Sequence, residues 1–215
     1  MQRRTRLIHV CTELWRGRSI ARVMMNDALS EEILRGRVLD VGGGRNPDYF
    51  RYFKRESDAV VEAADGSISG IDFEKDSLPA EDGSCDTVLM CNILEHVFNH
   101  QFLLKEAHRI LKADGVLIGF VPFWVGYHPD PHDFFRYTDE ALQRMLQDVG
   151  FHSIRVRGVG AGPVIANFNT IMLSFPRVMR PLLYIPYVLL DTLFVFLRPG
   201  STKRNPLGFV FTAHA

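Results

Sequence analysis

The sequence predicts an α/β fold, a doubly wound and mostly parallel sheet built in one domain. Three observations carry this. Short apolar runs at residues 38–41, 59–64, 87–91 and 116–121 alternate with segments of helical periodicity, the pattern of a parallel sheet with helices on its faces. The first of these runs ends on Gly42-Gly43-Gly44, where bare backbone can turn tightly and approach a ligand. Finally, Asp65, Asp72 and Asn92 each follow a predicted strand. Ligands of open α/β sheets bind at the carboxyl ends of the strands, so these side chains are expected to share one crevice with the glycines.

The elements follow in order. Leu7, Val10, Cys11 and Leu14 recur at i, i+3, i+4 and i+7, predicting an amphipathic helix. Ser30 is placed to cap a short helix carrying Ile33 and Leu34 and ending at Gly36. Residues 37–41 are the first strand. Tyr49, Phe50 and Phe53 supply the apolar face of the next helix. Residues 59–65 read as strand two and residues 67–72 as a weaker strand three, each closing on an acid. Leu78-Pro79 and Asp82-Gly83 signal loop and turn. Residues 87–91 are strand four, and Leu94-Glu95-His96 leads to a helix with Leu103, Ala107, Ile110 and Leu111 on one face, Lys112 in its last turn and Gly115 at its stop. Residues 116–121 are strand five. Thr138 caps a helix that carries Leu142, Met145, Leu146 and Val149 and ends before Gly150. Ile154 and Val156 alternate with arginines in strand six, and residues 208–212 form the last strand.

What the glycines lack selects the ligand. A dinucleotide fingerprint needs Gly-x-Gly-x-x-Gly, and counting from Gly42 puts Pro47 at the third glycine. No Gly-Lys-Ser/Thr follows, so a Walker-type phosphate loop is excluded. Asp40, just ahead of the turn, would repel a pyrophosphate and attract an ammonium group. An amino-acid-like ligand is favoured.

With 215 residues, 47% of them apolar and 23% charged, the chain is long enough for a sizeable core and ordinary for a soluble globular protein. Its 25 basic and 25 acidic residues balance, which leaves no electrostatic footprint for nucleic acid. Cys11, Cys85 and Cys91 are odd in number and lack metal-ligand spacing, so reduced thiols of a cytoplasmic protein are expected and no metal site. Arg3, Arg4 and Arg6 near the start are followed by Glu13 and Arg16 before any signal-peptide core develops.

Val-Leu-Asp-Val-Gly-Gly-Gly, the acids after strands two and three, Leu78-Pro79 with residues 82–86, Leu94-Glu95-His96-Val97, and residues 109–115 (Arg-Ile-Leu-Lys-Ala-Asp-Gly) together resemble the class I S-adenosylmethionine-dependent methyltransferases, in their small-molecule branch. The resemblance covers residues 38–151, and the last strand is similar to that family's closing strand. It implies a Rossmann-like, seven-stranded sheet whose final strand is antiparallel, with a helical insertion between strands six and seven. In that layout residues 1–36 are N-terminal helices, 37–160 the core, 161–206 the insertion and 207–215 the last strand. It also implies S-adenosyl-L-methionine as cofactor. Asp40, Gly42, Gly43 and Gly44 would hold its methionine end, Asp65 or alternatively Glu62 the ribose hydroxyls, Asp72 or alternatively Asp76 the adenine amine, and Asn92 the region of the transferred methyl. The middle glycine stands where the family often has cysteine or alanine.

Transfer of a methyl from a sulfonium requires alignment and, for a hydroxyl acceptor, removal of a proton. His96 after strand four, and His128 and His132 after strand five, are the candidate bases, with Asp133 and Arg136 as substrate contacts. Structural readings stand beside these: Glu95-His96 can orient a helix, and Asp133 can pair with Arg136 to staple its loop. The expected function is methylation of a small molecule, an oxygen of a sugar, lipid-linked or metabolite acceptor. The alternatives are a catalytically silent cofactor- or partner-binding fold and an enzyme acting on a membrane lipid or quinone.

Residues 176–199 are densely apolar, but only 16 residues separate Pro181 from Arg198, with Pro186 and Asp191 among them, against about 20 needed to span a bilayer. A cover over the substrate or a homodimer contact is expected, with peripheral membrane contact as the remaining choice.

Overall fold

The computed structural model describes residues 2–44, 47–66 and 70–215, with residues 2–6 described by their helical backbone alone. Arg45, Asn46 and the Ser67-Ile68-Ser69 part of the expected third strand lie outside the described residues.

The strands are β1 (Ile33–Leu34), β2 (Arg37–Val41), β3 (Lys54–Arg55), β4 (Val60–Ala64), β5 (Cys85–Cys91), β6 (Leu111–Pro122), β7 (His152–Gly160) and β8 (Pro206–His214). The helices are α1 (Gln2–Trp15), α2 (Ile20–Leu29), α3 (His100–Ile110), α4 (Asp139–Val149), α5 (Pro163–Ile171), α6 (Arg180–Leu197) and α7 (Ser201–Arg204). The main sheet has the order β4-β2-β5-β6-β8-β7. The pairs β2–β4, β2–β5 and β5–β6 are parallel. At one end Ala215 N donates to Gly115 O, and at the other Phe123 N donates to Leu207 O. The two index sums are equal, so β8 runs antiparallel to β6, as the resemblance implied.

The chain divides into two compact units, one of residues 1–27, 123–126 and 158–208, the other of residues 28–122, 127–157 and 209–215. The second unit carries the sheet. Its core is made where continuous apolar strands meet helix faces: Val38, Leu39, Val88, Leu89 and Ile118 are buried, as are Leu103, Ala107 and Ile110 of α3 and Leu142 and Leu146 of α4. Each such Leu or Ile contributes about 1.5–3 kcal/mol relative to exposure. Gly119 is required here because a Cβ at this position would lie 2.2 Å from Cζ of Phe211. Thr138 caps α4 by accepting from Ala141 N at 3.2 Å, and Gly150 ends it with φ of 116°, both as the sequence predicts.

Among the described residues the main sheet has six strands, and Gly70, Ile71 and Asp72, the described part of the expected third strand, carry none. Four expectations are corrected. The second helix is α2, capped by Ser19 Oγ, which accepts from Arg22 N at 3.2 Å. Ile33 and Leu34, assigned above to a helix, pair instead as β1 with β3. Helix α3 stops at Ile110, and Lys112 to Gly115 form a bulge in β6, where the five steps from Leu111 to Val116 face two from Cys85 to Thr87. Tyr49 and Phe50 lie in a single 3₁₀ turn, Asp48–Arg51, where a longer helix was expected.

In the first unit Val10 and Leu14 of α1 are buried together with Ile165 and Phe168 of α5 and Tyr184 of α6. Phe168 stacks on Tyr187 with centroids 4.3 Å apart. Asp191, in the middle of α6, is 5% exposed. Its carboxylate accepts from Gly162 N (2.7 Å), Val164 N (2.9 Å) and Ile165 N (3.1 Å), satisfying the free amides at the start of α5 from a neighbouring helix. Pro186 lies inside α6 without ending it, so the apolar stretch that the sequence reading took as interrupted is one continuous helix.

Candidate active site

The candidate site belongs to the second unit. A cavity of about 630 Å³ opens at the carboxyl ends of β2, β4 and β5, lined among others by Gly42, Asp65, Asp72, Asn92, His96 and His132. Its size falls within the roughly 300–1,000 Å³ typical of small-molecule sites. Residues drawn from five separate stretches of sequence therefore meet on one rim.

The turn after β2 is shaped by what its glycines leave open. Gly42 (φ 79°) and Gly44 (φ 67°) adopt left-handed backbone that side chains disfavour. A Cβ on Gly42 would lie 2.7 Å from Cδ1 of Ile93, and one on Gly43 would lie 1.5 Å from Oδ2 of Asp40. Gly43 thus makes room for a buried pair: Tyr49 Oη donates to the Asp40 carboxylate at 2.8 and 2.9 Å. That pair accounts for glycine at the position the family often fills with alanine or cysteine.

Asp40 departs from expectation. It is fully buried and lies off the cavity lining, beneath the glycine turn, so it supports the turn through Tyr49. Burial pushes its carboxyl up to about 7, against the Tyr49 hydrogen bond that lowers it, with the charge of Asp65 adding to the rise. Asp65 stands at the end of β4, lines the cavity and accepts from Gly44 N at 3.0 Å. Glu62, the alternative to Asp65, is exposed and paired with Arg37 at 2.9 Å, and it is off the cavity lining.

Asp72 lines the cavity too. Its carboxyl is held below the usual range by Lys75, 3.0 Å away, and by the Glu74 amide. Asp76 instead accepts from Asp72 N at 2.9 Å and stays off the lining. Glu74, which sequence reasoning passed over, accepts from Phe98 N and Asn99 N at 2.6 Å each, so the cavity wall caps the start of α3. An acid twenty-odd residues away gives no sequence signal of capping. Asn92, at φ 56°, ends β5 with its amide donating to Phe120 O at 2.9 Å. Asparagine tolerates this left-handed conformation better than most residues.

The motifs around Leu78-Pro79 prove structural. Arg109 bonds Glu106 (2.7 Å), Asp82 (2.6 Å) and the carbonyls of Ala80 and Leu78, while Glu106 accepts from Leu78 N. This clamp fixes α3 against the loop that leads into β5.

The histidines gather around Glu95, a residue the sequence reading assigned only an orienting role. Glu95 is 0% exposed, and neither of its carboxylate oxygens accepts a hydrogen bond among the described residues. Oε1 lies 3.7 Å from His96 Nε2 and 3.9 Å from His128 Nε2. His96 Nδ1 is 2.5 Å from His132 O. A carbonyl can only accept, so Nδ1 is the donor and Nε2 is the ring nitrogen that faces Glu95. Glu95, His96 and His128 each bring one ligand atom within 4.8 Å of the others, the one group among the described residues spaced to hold a divalent cation.

His96 and His132 line the cavity, whereas His128 is off the lining with its ring centroid 5.3 Å from that of His96. Asp133 and Arg136, the expected substrate contacts, are also off the lining and pair with each other. The Asp133 side chain is 1% exposed and forms a two-pronged ion pair with Arg136 at 2.5 and 2.7 Å, while accepting from His128 N at 2.9 Å. The guanidinium holds the Asp133 carboxyl far below the usual range. These two residues staple the loop that carries the histidines. Tyr137 is buried, donates to Leu94 O at 3.0 Å, and has its hydroxyl pushed above its ordinary value by burial and then by the charge of Glu95.

Comparison with known proteins agrees with this geometry. Residues 39–119 match the family described as "Methyltransferase domain". A probable S-adenosylmethionine-dependent methyltransferase of Mycobacterium tuberculosis is 24% identical over 98 residues, covering 43% of this chain and 36% of that protein. The lovastatin diketide synthase of Aspergillus terreus is 28% identical over 165 residues, 57% of this chain and 6% of the synthase. The chain thus spans about a third or less of the curated relatives it matches. In fold it resembles phosphoethanolamine N-methyltransferase 2 of Haemonchus contortus in complex with S-adenosyl-L-methionine, with TM-score 0.53 and 16% identity, covering 88% of this chain and 52% of that one. It also resembles the (4+2)-cyclase SpnF, with TM-score 0.52 and 15% identity, covering 90% and 80% of the respective chains. With a parallel sheet closed by one antiparallel strand, a glycine turn over an acid-lined cavity and a methyltransferase-domain signature over residues 39–119, the chain has the fold of the S-adenosylmethionine-dependent methyltransferases that it resembles.

Proposed function

We propose that the chain methylates an oxygen of a small acceptor, a sugar, lipid-linked or metabolite hydroxyl, at the cavity between Asp65 and His132. The observation that carries this reading is His96. It lines the cavity, its Nδ1 donates to the His132 carbonyl, and its Nε2 lies 3.7 Å from the buried Glu95 carboxylate.

The residues present fit the cofactor. The Gly42 backbone leaves the turn open, Asp65 offers two acceptors to vicinal hydroxyls, and Asp72 can accept from an amine. When bound, S-adenosylmethionine supplies an electrophilic methyl group. His96 Nε2 takes the acceptor's proton, and the Glu95 carboxylate stabilises the imidazolium that results, an attraction strengthened by burial. Asp133 and Arg136 act at one remove by holding the loop of His128 and His132 in place. Cys11, Cys85 and Cys91, none of them in a disulfide, support a reducing, cytoplasmic setting for this chemistry.

Calorimetry with S-adenosylmethionine, S-adenosylhomocysteine and NADH tests the cofactor. Mass spectrometry of hydroxyl acceptors after incubation tests the transfer. Binding of the two sulfur ligands with a gain of one methyl on oxygen is expected. NADH binding without response to either sulfur ligand would sink the reading. Cofactor binding without methyl transfer is the rival, kept because SpnF, a cyclase, shares this fold. It is distinguished by tight S-adenosylmethionine binding with no methylated product from any acceptor class.

A further inference from the structure

Helix α6 is built inside out. On a helix of 3.6 residues per turn, Leu182, Ile185, Leu189, Leu193 and Phe196 fall on one stripe and Arg180, Tyr184 and Asp191 on the opposite face. A surface helix of a soluble protein turns its polar face to water. Here Arg180, Tyr184 and Asp191 are buried, while Leu189 is 66% exposed and Phe196 79%. The polar groups facing inward are satisfied: Asp191 takes the amides at the start of α5, and Arg180 donates to Phe175 O at 3.0 Å. The stripe runs for about 20 Å at 1.5 Å per residue, and the second row, with Leu190, Phe194 and Leu197 also exposed, carries no polar side chain.

The charges around this face have one sign. Between Gly158 and Gly208 stand five basic residues, Arg177, Arg180, Arg198, Lys203 and Arg204, and one acid, Asp191, which is buried and committed. Arg177 precedes α6, and Arg198, Lys203 and Arg204 follow it, all exposed. An apolar stripe bordered at both ends by cations matches the boundary of an anionic bilayer, where leucines and phenylalanines enter the acyl region and basic heads stay among the phosphates. A second copy of this chain would meet the same cations with its own.

The helix is long and apolar enough to cross a membrane. Its buried polar face is occupied by α5 and the Phe175 carbonyl, so only one half of its circumference is available to lipid.

We infer that this unit docks α6 in the plane of an anionic membrane surface, embedding the stripe from Leu182 to Leu197 without crossing the bilayer. The inference stands independently of the chemistry proposed above.

Flotation of the full chain with phosphatidylcholine vesicles, with and without phosphatidylglycerol, tests it. Expected is binding to the anionic vesicles, weakened by salt and released by alkaline carbonate. The double variant Leu189→Glu with Leu193→Glu is expected to lower partitioning about tenfold or more, with an unchanged circular dichroism spectrum. Should that variant misfold, Arg198→Gln with Lys203→Gln and Arg204→Gln, changed only at exposed positions, is expected to remove the preference for anionic lipid. Absence of vesicle binding would overturn the inference, as would binding indifferent to both variants. Carbonate-resistant insertion would replace it with a span. A concentration-dependent dimer that fails to float and is dissolved by the leucine variant would assign the face to a second copy.

Discussion

His96 Nε2 faces Oε1 of Glu95 across 3.7 Å, one group lining the cavity and the other wholly buried behind it. The carboxylate stabilises a protonated imidazole more than a neutral one, so Glu95→Gln is expected to make His96 a weaker base. Turnover on a hydroxyl acceptor should fall about ten- to a hundredfold, less than the roughly 10²- to 10⁴-fold loss expected for His96→Ala. The acidic limb of the pH–rate profile, where the base gains its proton, should move to lower pH in Glu95→Gln, with S-adenosylhomocysteine affinity unchanged. A profile that does not move would remove Glu95 from the mechanism.

The same three groups, Glu95, His96 and His128, are spaced for a cation, so a chelator separates two uses of one cluster. Activity is expected to survive dialysis against EDTA, because His96 serves as a proton acceptor. Loss of turnover restored by zinc or manganese would instead assign the cluster to a metal.

At the cofactor end, Asp65→Ala should weaken S-adenosylhomocysteine binding by about 1–3 kcal/mol, the range for losing hydrogen bonds to a charged acceptor. Glu62→Ala, which touches only the exposed Arg37 pair, should leave the calorimetric affinity within experimental error. The reverse ranking would move the ribose contact to the middle of β4.

Asp40 makes a prediction about pH. Its folded pKa of about 7 lies above the ordinary carboxyl value, so the folded state holds a proton that the unfolded chain has released. Stability from this group is full below about pH 4 and is lost as pH rises to about 7. Relative to Asp40→Asn, the wild type should lose up to roughly 4 kcal/mol across that window and nothing further above it. Urea unfolding at several pH values measures the difference, and a flat difference would mean the carboxyl is not held protonated.

Asp133→Asn leaves the Arg136 guanidinium without its buried partner and is expected to cost about 2–4 kcal/mol of stability. Because the staple carries His128 and His132, turnover should fall while cofactor affinity holds. Hydrogen exchange should show the amides of residues 128–135 opening first.

What the sequence by itself determined was whatever follows from periodicity and local backbone chemistry. Alternating apolar runs and helices were enough for a parallel α/β sheet, because each strand must bury both faces. Thr138 and Gly150 marked the ends of α4, because caps act within one turn. The glycine turn and Asp65 were legible because strand ends share a sheet edge. Tertiary structure decided the rest, through contacts between residues far apart in the chain. Ile33 and Leu34 became a strand because Lys54 and Arg55 offered a partner edge. Asp40 became a buried support because Tyr49 reached it where Gly43 left room. Asp133 and Arg136 turned to each other, and Glu95 emerged only when two loops brought His96 and His128 to it. The composition of α6 was plain in the sequence. Which face it buries was not, because burial of Asp191 depends on the amides of α5 that it caps.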